Sequence, residues 1–167
     1  MKQYEELDSM YSQYTAKANA QDMVLKKFVN ALAAGLPAYL GLPENAWYRA
    51  DGRKGGARVR LGLGKPESFD EKTWLEIPTF TDGSVNFSVA YSLVSGGDEN
   101  PYHIVFELKV ECYPEFFVVQ LKHHEQDLHV SADQEDKNRF NDVYSAMVEG
   151  IKRVSDPARI KIPGAKL

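Results

Sequence analysis

Residues 85–93 read VNFSVAYSL, residues 102–112 YHIVFELKVEC and residues 116–122 FFVVQLK, and in each a large apolar side chain returns at every second position. In the first, Val85, Phe87, Val89, Tyr91 and Leu93 alternate with Asn86, Ser88, Ala90 and Ser92. An extended chain puts the large groups on one face and the small or polar ones on the other. In the second, Tyr102, Ile104, Phe106, Leu108, Val110 and Cys112 alternate with His103, Val105, Glu107, Lys109 and Glu111. The third sets Phe117, Val119 and Leu121 against Phe116, Val118, Gln120 and Lys122, so it is apolar on both faces near its start and is expected to be covered twice. Clean alternation favours an antiparallel sheet with one solvated face. The connections agree: residues 96–101 (GGDENP) have loop composition, and Tyr113-Pro114-Glu115 has room only for a hairpin turn.

Upstream, Thr81-Asp82-Gly83 is a turn, and residues 69–77 read as a strand that Pro78 ends or confines to a sheet edge. Ala57, Val59, Leu61 and Leu63 alternate with Arg58, Arg60 and Gly62, and residues 46–49 (AWYR) have strand character. The loop 51–56 (DGRKGG) joins these two into a hairpin with a basic tip and one basic face. Before it, Tyr4, Leu7, Tyr11, Tyr14, Ala18, Gln21, Leu25, Phe28, Leu32, Gly35 and Tyr39 follow a helical spacing of three and four. The polar residues 19–22 leave one helix or two, with Asp22 as the cap of a second, and Gly35 and Pro37 are expected to stop it. The stripe is expected to pack on the chain's own sheet. The sharper alternative pairs its Tyr-rich first half with a second copy or a partner helix, although Gln21 and Gly35 in seam positions argue against a long coiled coil.

Downstream, residues 122–127 turn the chain into a short strand over 128–130. Ser131-Ala132-Asp133-Gln134 has the form of a capping box, which predicts a helix over 132–155 with Phe140, Val143, Tyr144, Met147, Ile151 and Val154 as its buried stripe. Asp156-Pro157 ends it, and 156–167 reads as a loosely held tail. The expected fold class is α+β, in one domain over 1–167: a helical segment over 1–40, an antiparallel meander sheet of about six or seven strands over 46–130, and a C-terminal amphipathic helix, both helices on the same apolar sheet face.

The totals narrow the function. At 167 residues, 43% hydrophobic and 26% charged, the chain has the composition of a folded domain. A net charge of −4 disfavours nucleic acid as a general partner and leaves any such site local. One cysteine, Cys112, excludes an intramolecular disulfide. With no apolar N-terminal run and no stretch long enough to span a bilayer, a cytoplasmic protein without membrane contact is expected.

Chemistry concentrates in residues 49–65, where Arg49, Arg53, Lys54, Arg58, Arg60 and Lys65 stand against Asp51 alone. Arg58 and Arg60, two apart on a strand, leave the same face and suit phosphates or a partner's carboxylates. Balanced against this is a solvated hairpin answering Glu67, Asp70, Glu71 and Glu76. Gly62-Leu63-Gly64-Lys65-Pro66 fails as a phosphate loop, because the earlier glycine falls at Val59 and the hydroxyl position at Pro66. His124 and His129 across a tight hairpin are weak metal candidates that match no zinc spacing, and no motif calls for a cofactor. Cys112 sits in an apolar position as a core thiol, and spacing places no nucleophile–base pair.

The first functional expectation is a non-enzymatic protein-binding module, a small inhibitor, adaptor or chaperone, that uses the basic hairpin, the exposed sheet face or the N-terminal helix against an acidic partner protein. A homodimer through that helix belongs to the same reading. The second is a nucleic-acid or nucleotide binder through 49–65, and the third an enzyme with its site between sheet and helices. The helix–sheet–helix order in an acidic chain is similar in general shape to small secretion chaperones and mobile-element inhibitors, a likeness that carries no residues.

Overall fold

The computed structural model describes residues 2–95 and 100–164; most of the loop expected at 96–101 and the end of the tail lie outside the described residues. The chain opens with one helix, α1 (Gln3–Tyr39), of 37 residues and about 55 Å at 1.5 Å per residue. The polar stretch 19–22 does not divide it, since Ala16, Ala18, Ala20 and Gln21 sustain the helix through it. Nor do Gly35 and Pro37 stop it. Pro37 lies in the last turn, and the stop is Gly41, whose φ of +75° suits a residue without Cβ. Gly41 N–H donates to the Ala38 carbonyl and Leu42 N–H to that of Pro37, both at 3.0 Å, which closes the helix end with a left-handed cap.

Two sheets follow. The smaller pairs β1 (Trp47–Tyr48) with β2 (Lys54–Gly56). The larger has six antiparallel strands in the order β4-β3-β5-β6-β7-β8: β3 (Val59–Leu63), β4 (Asp70–Glu71), β5 (Ser84–Leu93), β6 (Tyr102–Cys112), β7 (Phe116–Leu121) and β8 (Leu128–Ser131). From β5 to β8 it is the expected meander. At its start β4 turns to the outer edge of β3, and residues 72–83 carry the chain back so that β5 pairs on β3's other side.

Three local expectations change. The residues 69–77 form only the two-residue edge strand β4 and a 3-10 turn at Trp74–Glu76, with Ile77 fully buried as the anchor of the return. The partner of β1 is Lys54–Gly56 rather than the segment 57–63, because Gly55 and Gly56 offer a flat surface against which the Trp47 indole lies; a Cβ at Gly55 would collide with its ring. β3 instead joins the main sheet, and Asn45 acts as its end clamp, its Nδ2 donating to the Val59 carbonyl (2.8 Å) and its Oδ1 accepting from Val59 N–H (2.7 Å). Lastly, the second helix, α2 (Asn141–Ser155), begins nine residues after the expected start at 132. Asp133 and Asp136 each accept from the backbone N–H two residues on (3.0 Å), local turns that compete with helix and hold residues 132–140 out of it.

Both helices pack into one apolar cluster with the sheet. Leu25, Phe28, Leu32 and Leu36 of α1 and Val143, Tyr144 and Met147 of α2 meet Val85, Phe87, Val89, Leu108, Val110, Phe117 and Val119. Phe28 stacks on Phe117 at 4.1 Å and meets the edge of Phe140 at 5.2 Å. The Tyr144 hydroxyl donates to the Leu32 carbonyl at 2.7 Å, joining the helices through the face that Gly35 leaves free. On the other face of β7 Phe116 stacks between Tyr113 and His129, but Tyr113 and His129 are exposed and only Val118 is buried there, so the expected second cover is limited to these side chains.

Candidate functional site

The basic residues of 49–65 do not form one patch. Arg53 pairs with Asp51 and Lys54 with Glu44, each at 3.7 Å on the hairpin tip, while Lys65 lies at the far end of β3, before a 3-10 turn. Arg58 folds back on the sheet, donating to the Ser92 carbonyl at 3.1 Å, with its Nε buried and unpartnered. Arg60 is held three ways: against Glu71 at 3.8 Å, over the Phe69 ring at 5.3 Å and on His103 Nδ1 at 3.2 Å. A guanidinium only donates, so Nδ1 is the accepting nitrogen, and the Ser92 hydroxyl reaches the same atom at 3.0 Å. Burial first, and Arg60 second, push the His103 pKa down, which keeps the ring neutral in this role. Arg49 and Arg60 share a depression of about 440 Å³ with Trp47 and His103, but Trp47 is packed under the glycines and is not free to stack on a base.

His124 and His129 are also separated in role: His129 stacks on Phe116, whereas His124 lines a different cavity. Among the described residues no three His, Cys, Asp or Glu side chains converge on a metal position. Cys112 is half-buried, and burial raises its pKa, as for an unreactive thiol.

The cavity that His124 lines combines apolar walls with a cationic rim. It is a cleft of about 470 Å³ between the sheet and the C-terminal half of α2. Ile104, Phe106, Leu121, Ala146, Gly150 and Val154 form its apolar walls, and Lys122, His123, His124, Arg153 and Arg159 its rim. The one acidic lining residue among those described, Glu107, is already held by Lys122 at 2.8 Å. Arg159 donates to the Arg153 carbonyl at 3.0 Å, and neither guanidinium meets a carboxylate among the described residues.

The cleft also exposes backbone. β7 pairs with β6 only from Leu108 to Cys112, and a last bond from Lys122 N–H to the Glu107 carbonyl (3.0 Å) ends the contact. His123 then takes a φ of +71°, in the left-handed region, and His124 N–H closes a turn on the Leu121 carbonyl at 2.9 Å. The chain leaves the line of β7 at that point. Among the described residues, β6 is therefore paired with β5 alone from Tyr102 to Phe106. In the antiparallel alternation Ile104 and Phe106 bond towards β5, so His103 and Val105 direct their backbone groups to the bare side.

Of these rim residues sequence draws attention only to the adjacent His123 and His124, as weak metal candidates. A signal was present: an eleven-residue strand, a three-residue turn and a six-residue strand cannot pair throughout, and the surplus falls on the first half of β6. No family profile, no characterised protein and no solved structure shows significant similarity to the chain. Among the described residues no helix is long and apolar enough to cross a membrane.

Proposed function

We propose that the protein is a non-enzymatic protein-binding module that takes an extended, acidic segment of its partner into the cleft as an added strand on β6. The bare edge from Tyr102 to Phe106 carries this reading, because an unpaired strand edge beside an apolar groove is what strand addition requires. Main-chain bonds to His103 and Val105 would supply affinity. The cationic rim selects the charge of the alternate side chains, and the apolar walls accept the others. The chain's own Ile160-Lys161-Ile162 has strand-like alternation and exposed isoleucines, but Lys161 would add a cation to a cationic cleft.

The test is fluorescence polarisation with the full chain and two labelled peptides of alternating valine with glutamate or with lysine. The acidic peptide is expected to bind, with affinity falling as salt rises. The Arg153→Glu/Arg159→Glu variant should bind it about tenfold more weakly or worse. N-methylation of alternate peptide amides should abolish binding without any change to the protein, and the Val105 amide should gain hydrogen-exchange protection in the complex. Equal binding of both peptides, or full affinity after N-methylation, would sink the proposal.

A further inference from the structure

The first four turns of α1 project from the rest of the described chain. Residues 2–17 are all exposed, and the first fully buried position of the helix is Leu25. Tyr4 (57% exposed), Leu7 (64%), Tyr11 (70%) and Tyr14 (58%) nevertheless keep the three-and-four spacing of a helix seam, with Met10 (61%) beside it. Residues 8–15 (DSMYSQYT) include Ser9, Tyr11, Ser12, Tyr14 and Thr15, none a strong helix former. A helix of this composition, without a packed face, is marginal in water, so its order calls for a partner.

We infer that the partner is a second copy of the chain, with the two projecting helices packed antiparallel. The seam is self-complementary in one symmetric alignment: Leu7 lies opposite the partner copy's Ala18, Tyr11 opposite Tyr14, and Tyr4 opposite Gln21. The overlap ends where each helix enters its own body, at Gln21, whose amide bonds the chain's own Cys112, and at Asp22, which the Thr79 hydroxyl holds and Lys26 pairs at 3.3 Å. Charge selects the direction. A parallel pair would set the two Glu5, Glu6 and Asp8 clusters side by side, whereas the antiparallel pair brings Asp8 to the height of Lys17 and opposes the helix dipoles. Three tyrosines, a leucine and a methionine per chain offer on the order of 700 Å², close to the roughly 800 Å² per partner of a stable specific interface.

Light scattering on the eluting full chain should give twice the monomer mass of 18.8 kDa, falling towards one mass on dilution, with a loss of helical circular dichroism. Leu7→Glu/Tyr11→Glu should run as a monomer with unchanged hydrogen-exchange protection at the core amides of Val89 and Val110, since both substituted residues stand clear of the core. Direction is read by oxidation in a Cys112→Ala background. Leu7→Cys chains mixed with Ala18→Cys chains should cross-link to each other, and each alone should remain largely uncoupled. A monomer at every concentration up to millimolar overturns the inference and assigns the seam to a different protein. Efficient Leu7→Cys self-coupling overturns the antiparallel arrangement.

Discussion

Phe28→Ala is expected to lower the free energy of unfolding by about 3–5 kcal/mol, the largest loss of any single truncation considered. Its ring is 2% exposed and stands where three parts of the chain meet: α1 itself, Phe117 of β7 at 4.1 Å and Phe140 at 5.2 Å in the turn before α2. The Arg139 guanidinium covers it from outside at 5.4 Å. Truncation removes the apolar surface and also leaves a cavity that the helix, the strand and the turn cannot all close upon. Urea titration should show the midpoint shifted with the slope unchanged, which assigns the loss to the folded state. A loss below about 1 kcal/mol would mean that the aromatic cluster is looser than its distances imply.

Gly35→Ala should destabilise the wild-type protein by about 1–3 kcal/mol, although alanine is intrinsically the better helix residue by about 1 kcal/mol. A Cβ at position 35 would run into the Tyr144 hydroxyl, the group that donates to the Leu32 carbonyl. The atom behind it, Tyr144 Cζ, is 3.4 Å from that Cβ, an ordinary contact. In a Tyr144→Phe background the obstacle is gone, so the same Gly35→Ala change should become neutral or stabilising. Tyr144→Phe alone should cost about 0.5–1.5 kcal/mol for the lost hydrogen bond. The sign reversal in a double-mutant cycle separates this contact from general intolerance at position 35. Burial also holds the Tyr144 pKa far above that of a free phenol, so the bond should persist throughout the neutral and mildly alkaline range.

The sheet was legible because β5, β6 and β7 each bury one face, and a period of two survives in sequence whatever the partner strand is. β2 was not, since Lys54-Gly55-Gly56 carries no alternation, and its pairing depends on Trp47 lying over the glycines. The start of α2 was misread for a related reason: Ser131 and Asp133 are good caps in isolation, but their side chains satisfy nearby turn amides instead. The basic stretch 49–65 was visible as composition. Its pairing with the acidic residues 67–76 was one of the two readings, and Arg60 does meet Glu71, whereas the Lys54 partner Glu44 carried no sequence signal. The cleft was hardest to see, because its rim comes from residues 122–124, 153 and 159 and its floor from β6, segments that only the completed fold brings together.

The union of α1 with the last helix also bears on how the chain acquires its structure. Within the larger sheet the pairs from β5 to β8 are sequence neighbours, so that region closes short loops and should organise quickly. The first helix depends on remote groups, with Tyr144 lying 112 residues beyond the Leu32 carbonyl it serves. As the polypeptide is synthesised, Leu25, Phe28, Leu32 and Leu36 therefore emerge long before Phe117, Tyr144 and Met147 exist to cover them. A nascent chain halted before residue 116 can already lay that stripe on Val85, Phe87 and Val89, but it leaves Phe28 without Phe117 and Phe140 and the Leu32 carbonyl without Tyr144, so that side of the helix should stay open to aggregation until the last third of the chain emerges.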